Sequence, residues 1–411
     1  MRRYSYVILG GGVAAGYAAD EFIERGLEPG QLAIISADDT VPYERPPLSK
    51  SFLQGEETAS NILINDEQFY AENGIDVYLN SRVTRVEPSE KRLHIPGQEP
   101  INYEKLLICT GSHVNKLDIP GSDLEGVMYL RLLDDATDIR QRAERGEQVV
   151  VLGGGYIGME TAAVMRQLNL DTTMVFPESR LMSERFFTPA MSNFFEQYYR
   201  ERDVRFVPND LPVEIMGKDG KVSDVRLKSG KTLPADFVIA GIGVAPNDEL
   251  FEKLSLTVDD GVVVNEYLET NADDIYAAGD IASYYDVIFD KQRRIGHWDN
   301  ARAQGRYAAR RMLGVDDEPF VKVPYFFSDV FDLSYEFWGE VAEDDQSIIR
   351  GDINSGSFSV WWLRGGRLVG AFVMDRPDEE REAARTWIAS GEEIPVALLR
   401  NADKSLMETL S

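Results

Sequence analysis

The sequence predicts an α/β protein of two wound strand–turn–helix domains followed by a small α+β domain. Three observations predict it. A glycine-rich turn joins an apolar strand to an alanine-rich helix near the N-terminus. The same pattern recurs at Gly153, and from about Val321 onward the chain becomes aromatic, β-prone and hairpin-like.

The first turn follows the strand Tyr6-Val7-Ile8-Leu9 and reads Gly10-x-Gly12-x-x-Ala15, with a helix through Ala18 and Ala19. Gly10 permits the tight turn, and Gly12 lets a pyrophosphate approach the backbone. Ala15 keeps helix and strand close, so that the helix N-terminus faces the anion. Ala14 lies within the same candidate site. Leu32–Ser36 is the expected second strand. Ser36 stands where a ribose-binding acid would end it, and Asp38 just beyond is the candidate acid.

The second turn follows Val149-Val150-Val151-Leu152 and reads Gly153-x-Gly155-x-x-Gly158, carrying Tyr156 and Ile157 and opening a helix through Ala162 and Ala163. The next strand, Thr172–Phe176, leads to Pro177-Glu178. Glu178 is placed to accept hydrogen bonds from a ribose diol and to repel a 2′-phosphate, which favours NADH. Arg180 could pair with that phosphate and leaves NADPH open. Both turns sit in full strand–turn–helix context, so two Rossmann-like dinucleotide sites are expected rather than two empty duplicates.

Composition narrows the function. The 411 residues suffice for two or three domains, and no run of about 18 apolar residues could span a membrane. An apolar strand begins directly after Tyr4, leaving no room for a signal peptide, and a cytoplasmic protein is expected. The formal charge is −27, from 70 acidic against 43 basic residues, which argues against nucleic acid as a partner. Arg293-Arg294 and Arg310-Arg311 read as solvated faces, with anion binding as the lesser reading. The one cysteine, Cys109, lies in an apolar run and cannot form an intrachain disulfide. No metal site is expected. The oligomeric state is left open, with a monomer favoured.

Two more segments complete the pattern: Leu106-Leu107-Ile108-Cys109-Thr110-Gly111, and Ile275-Tyr276-Ala277-Ala278-Gly279-Asp280. Together with the two turns they resemble the flavoprotein disulfide reductase superfamily over nearly the whole chain. The resemblance implies FAD on the first unit, with Asp280 on the flavin ribityl chain. It also implies a split FAD domain at 1–112 and 244–320, with the NAD(P) domain inserted at 113–243 around Gly243. Residues 321–411 form the C-terminal α+β domain, expected to close one face of the flavin.

Where disulfide reductases of that superfamily carry redox cysteines, this chain reads Pro42-Tyr43-Glu44-Arg45-Pro46-Pro47-Leu48-Ser49-Lys50. That segment is similar to the ferredoxin-reductase-like branch, which includes monodehydroascorbate reductases and apoptosis-inducing-factor oxidoreductases. The resemblance implies Arg45 near FAD phosphate or adenosine. It implies Lys50 near the flavin N5, paired with Glu160, which would also receive the nicotinamide carboxamide. A solvated turn full of prolines and charges is a reasonable reading for Glu44 but a poor one for Lys50.

The stretch Gly296-His297-Trp298-Asp299-Asn300-Ala301-Arg302 resembles the corresponding segment of plant monodehydroascorbate reductases. His297 and Trp298 then fall near the cofactor, and Arg302 falls at the arginine that binds the ascorbyl radical anion. Two departures stand out. Phe327 occupies a position where the plant enzymes have a tyrosine, leaving Tyr325 as a substitute, and the loop after Lys50 is shorter. The expected activity is NADH oxidation through FAD with one-electron delivery to the monodehydroascorbate radical. Two alternatives stay open: a reductase of ferredoxin or rubredoxin, and a redox-signalling flavoprotein of the apoptosis-inducing-factor type.

Overall fold

Residues 2–182, 186–402 and 404–406 are described by the structure, a computed structural model, and they divide into two units. One unit comprises Met1–Pro46, Thr58–His113 and Val244–Lys322; the other comprises Pro47–Glu57, Val114–Gly243 and Val323–Ser411.

The first unit is built on a parallel sheet. Arg2–Leu9 lies between Leu32–Ile35 and Ile101–Ile108, with Asp76–Tyr78 beyond the former and Ile275–Ala277 paired to the latter. The antiparallel strands Arg92–His94 and Arg85–Glu87 continue it. Leu32–Ile35 is apolar throughout and fully buried, as expected of a strand covered on both faces. The helices Val13–Glu24 and Trp298–Leu313 pack together. Closeness is forced at Gly305, where a Cβ would stand 2.2 Å from the Ala14 carbonyl oxygen. Cys109 is buried just past the end of its strand, and burial pushes its thiol far above the ordinary range.

In the second unit, five parallel strands run in the order Arg205–Pro208, Asp171–Phe176, Gln148–Leu152, Phe237–Ala240 and Val127–Met128. A three-stranded antiparallel sheet, Pro212–Lys218, Lys221–Leu227 and Thr232–Pro234, adjoins them. The aromatic C-terminal region forms a five-stranded antiparallel sheet in the order Tyr325–Val330, Leu333–Gly339, Arg367–Met374, Ser357–Arg364 and Gln346–Asp352. The Gly365-Gly366 hairpin expected from sequence joins two of these strands. Helix Asp378–Ser390 buries Ala383, Ala384, Trp387 and Ile388.

The arginine pairs read as solvated faces are instead tied down. Arg293 pairs with the buried Asp286, and Arg294 with Asp260. Arg310 bonds Asp316 and Glu21, and Arg311 bonds Glu269 and Asp317. Asp260, Glu269 and Glu21 reach these arginines from distant segments, while Asp286, Asp316 and Asp317 lie six or seven residues away.

Candidate functional site

Gly10 ends the first strand at φ +124°, where a Cβ would stand 2.1 Å from the Cys109 carbonyl oxygen, so only glycine fits. Gly12 is the N-cap of Val13–Glu24 and makes no side-chain capping bond, and a Cβ there would meet nothing within 4 Å. An uncapped helix N-terminus opening onto free space is what a pyrophosphate requires. Ala14 and Ala15 are buried in the first turn of that helix.

Around this turn the polar groups are already paired. The Ser36 hydroxyl accepts from the Asp38 amide at 3.0 Å. Asp38 receives the Tyr43 hydroxyl at 3.2 Å and lies 3.9 Å from Arg45, whose guanidinium stacks on the Tyr43 ring. Thr110 and Gly111 are clamped by Asn247. Its Nδ2 donates to the Thr110 carbonyl at 2.7 Å, and its amide donates to the Gly111 carbonyl at 2.9 Å. Asp280 accepts from the Ser112 hydroxyl at 2.8 Å. Asn247 has no sequence signature, and only the fold brings it to residue 110.

His297 caps the helix Trp298–Leu313, its Nδ1 accepting from the Asp299 amide at 3.3 Å. The Trp298 indole donates to Glu44, which also accepts the Tyr17 hydroxyl at 2.5 Å. Burial, and then this bond to Glu44, hold the Tyr17 phenol well above its usual range. The reading of Glu44 as a solvated charge is therefore corrected: two donors from distant helices fix it. Arg302 pairs with Asp299 at 3.3 Å and packs over Trp298 and Tyr17. Asp299, only 6% exposed, also receives the Lys322 ammonium. One buried carboxylate thus holds two cations, and Arg302 remains 44% exposed.

The second unit repeats the turn. Gly153 has φ +119° and a Cβ would stand 2.3 Å from the Gly241 carbonyl oxygen, while Gly155 caps Tyr156–Gln167 without a side-chain bond and faces open space. Gly158 lies in the first turn of that helix, and Ile157 is 39% exposed. Gly243 adopts φ +97° beside Asn115. Glu178 follows the strand Asp171–Phe176, and its Oε2 is buried without a hydrogen-bond partner. Such a bare acceptor is costly unless a ligand supplies the donor. Tyr156 stacks on Phe326 at 3.7 Å between centroids.

Within the same unit Lys50 Nζ lies 2.8 Å from Glu160 Oε1 and 5.2 Å from the centre of the Phe327 ring. Glu160 is 4% exposed. It also accepts the hydroxyls of Ser49 and Ser328, the latter at 2.6 Å; neither serine was singled out from sequence. Tyr325 stacks near Phe327 and donates its hydroxyl to Glu336 at 2.7 Å.

Both turns therefore fit dinucleotides: two uncapped helix ends open onto space, and one buried carboxylate oxygen lacks a donor. Among the described residues there is no cluster suited to a metal ion, and no helix is long and apolar enough to cross a membrane.

Comparison with known proteins agrees with this geometry. Residues 4–305 match the family described as pyridine nucleotide-disulphide oxidoreductase, and residues 325–410 match the reductase C-terminal family. The chain is 40% identical to peroxisomal monodehydroascorbate reductase 4 of Arabidopsis thaliana, covering 93% of this chain and 81% of that one. It is 36% identical to the seedling isozyme of monodehydroascorbate reductase from Cucumis sativus, covering 92% of each. Among solved structures, a ferredoxin reductase from Rhodopseudomonas palustris superposes with a TM-score of 0.94 at 30% identity, covering 99% of this chain and 100% of that one. Putidaredoxin reductase in covalent complex with putidaredoxin gives 0.93 at 30% identity, covering 100% and 98%. The chain is an oxidoreductase that uses FAD and a nicotinamide dinucleotide, and it belongs to the pyridine nucleotide-disulphide oxidoreductase family.

Proposed function

We propose that the chain oxidises NADH and reduces the monodehydroascorbate radical to ascorbate. The carrying observation is Arg302, a half-exposed guanidinium held by the buried Asp299 between two aromatic rings. A fixed, partly desolvated cation suits a small organic anion. The names of the plant relatives support the same reading.

In this reading residues 1–112 and 244–320 hold FAD, residues 113–243 hold NADH, and residues 321–411 complete the enzyme. Gly12 and the helix behind it bind the flavin pyrophosphate, Arg45 and Asp38 its adenosine side, and Asp280 its ribityl chain. His297 and Trp298 would help to hold the flavin. Gly155 and its helix bind the nicotinamide pyrophosphate, Glu178 the ribose diol, and Glu160 the carboxamide. Lys50, held by Glu160, would supply the positive charge that favours the reduced, anionic flavin. When bound, FAD would supply the redox chemistry that links a two-electron donor, NADH, to a one-electron acceptor. Arg302 binds each radical anion in turn, and Tyr325 and Phe327 are the further residues assigned to the reaction. One NADH and one proton thus convert two radicals into two ascorbate anions and NAD⁺.

A second reading, delivery to a small iron–sulfur protein, is favoured by Phe327, which lacks the plant hydroxyl, and by the superposition on ferredoxin reductases. The deciding experiment follows NADH oxidation by the FAD-loaded protein while ascorbate oxidase generates the radical. Strong acceleration, lost in Arg302→Ala while ferricyanide turnover survives, is expected. Ferricyanide turnover with no response to the radical would sink this assignment in favour of a protein acceptor.

A further inference from the structure

Glu160 is met by hydroxyls from both sides, which the role expected for it does not require. Its Oε1 accepts Lys50 Nζ at 2.8 Å and Ser328 Oγ at 2.6 Å, and its Oε2 accepts Ser49 Oγ. The donors come from two chain segments, each more than a hundred residues from Glu160: Ser49 and Lys50 lie 111 and 110 residues before it, and Ser328 lies 168 after it. Glu160 is 4% exposed, Ser49 3% and Ser328 0%, so water does not readily replace a lost donor. Ser328 sits on the strand Tyr325–Val330, one residue beyond Phe327, over whose ring the Lys50 ammonium lies.

A carboxylate pinned by Lys50 alone could rotate about its last bond and exchange oxygens. With one hydroxyl on each oxygen it cannot do so without breaking a buried bond, which for a charged acceptor costs about 1.5–3 kcal/mol. The Lys50 ammonium keeps two of its three protons free of Glu160. We infer that Ser328, with Ser49, is a positioning residue: it fixes the Glu160 carboxylate so that Lys50 and the nicotinamide carboxamide meet a single orientation. This rests on the proposed role of Glu160 in NADH binding and hydride transfer.

The test is a double-mutant cycle in the FAD-loaded protein with Ser328→Ala, Ser328→Thr, Glu160→Gln and the Ser328→Ala/Glu160→Gln pair. Two quantities are read: the rate of flavin bleaching by NADH, and the calorimetric Kd of NAD⁺ for the oxidised protein. Ser328→Ala is expected to slow bleaching about tenfold and weaken NAD⁺ severalfold, within the worth of one bond to a charged group. Ser328→Thr, which keeps the hydroxyl, should recover most of both. In the Glu160→Gln background, Ser328→Ala should add less than about a twofold further loss. Equal losses in both backgrounds, or a Ser328→Ala protein indistinguishable from wild type, would overturn the positioning role. Unchanged bleaching and NAD⁺ affinity in Glu160→Gln alone would instead remove the role of Glu160 itself, and the proposal with it.

Discussion

Replacing Arg302 with alanine isolates the electrostatic part of acceptor binding. Asp299 holds both Arg302 and Lys322, so the three side chains carry one net positive charge. The substitution brings that sum to zero while leaving Asp299 a partner, so no bare buried carboxylate results. A unit charge about 4 Å away is worth about 1 kcal/mol in water and about 4 kcal/mol at an effective dielectric near 20. The Arg302 side chain is 44% exposed, which places it toward the lower end. We take about 1.5–2 kcal/mol, which converts to roughly 10–30-fold in kcat/KM for the radical. The assay follows NADH oxidation under enzymatic radical generation across a range of ionic strengths. Wild type should lose activity steeply as salt rises, and Arg302→Ala only weakly. Flavin bleaching by NADH without acceptor serves as the reference and should stay close to wild type. A change in radical kcat/KM below about twofold, or an equal loss in the bleaching rate, would refute the reasoning.

Glu178→Ala should raise the KM for NADH about tenfold and lower the NADH-to-NADPH preference, because the ribose diol loses its acceptor and a 2′-phosphate loses its repulsion; steady-state kinetics with both nucleotides would show it. In the second unit the buried Arg350 bonds Glu380 and the carbonyls of Leu398, Asn401, Ala402 and Lys404. Arg350→Leu should therefore cost about 3–5 kcal/mol in urea denaturation, with a loss under about 1 kcal/mol counting against the network. Burial acts to raise the Glu21 carboxyl, but hydrogen bonds from Arg25 and Arg306 and the charge of Arg310 outweigh it and hold it below its ordinary range. A depressed acid stabilises above its unfolded value and loses that contribution as pH falls through its folded one, so the melting-temperature deficit of Glu21→Gln should be full at neutral pH and shrink on acidification below the ordinary glutamate range.

The two glycine turns were legible because backbone geometry leaves few alternatives: a positive φ against the neighbouring strand's carbonyl admits glycine at Gly10 and Gly153. The C-terminal hairpin was legible for a similar reason, since two apolar, β-prone segments flank two glycines. What stayed hidden depends on long-range contact. Glu44 looked solvated because its donors, Tyr17 and Trp298, lie 27 and 254 residues away. Asn247 and Ser328 are ordinary polar residues in sequence, and their roles exist only once the strands bring them to Thr110 and Glu160. The arginine pairs were misread in part for the same cause, since Asp260, Glu269 and Glu21 reach Arg294, Arg311 and Arg310 from distant segments.

The two dinucleotide turns are alike in backbone and opposite in how their polar groups are finished, and that difference carries information about exchange. In the first unit Ser36, Asp38, Tyr43 and Arg45 already satisfy one another, and Asn247 braces the strand end opposite. A ligand entering there meets a preformed wall and need not reorganise it, which favours tight, long-lived binding. In the second unit Glu178 Oε2, the acceptor proposed for a ribose diol, is buried and unpartnered. That oxygen carries an unmet desolvation cost whenever no ligand donates to it, so part of the ligand's binding energy goes to relieving it. A site finished on its own suits a resident cofactor. A site completed only by its ligand suits a co-substrate that must arrive, be told from its phosphorylated relative, and leave again each turnover.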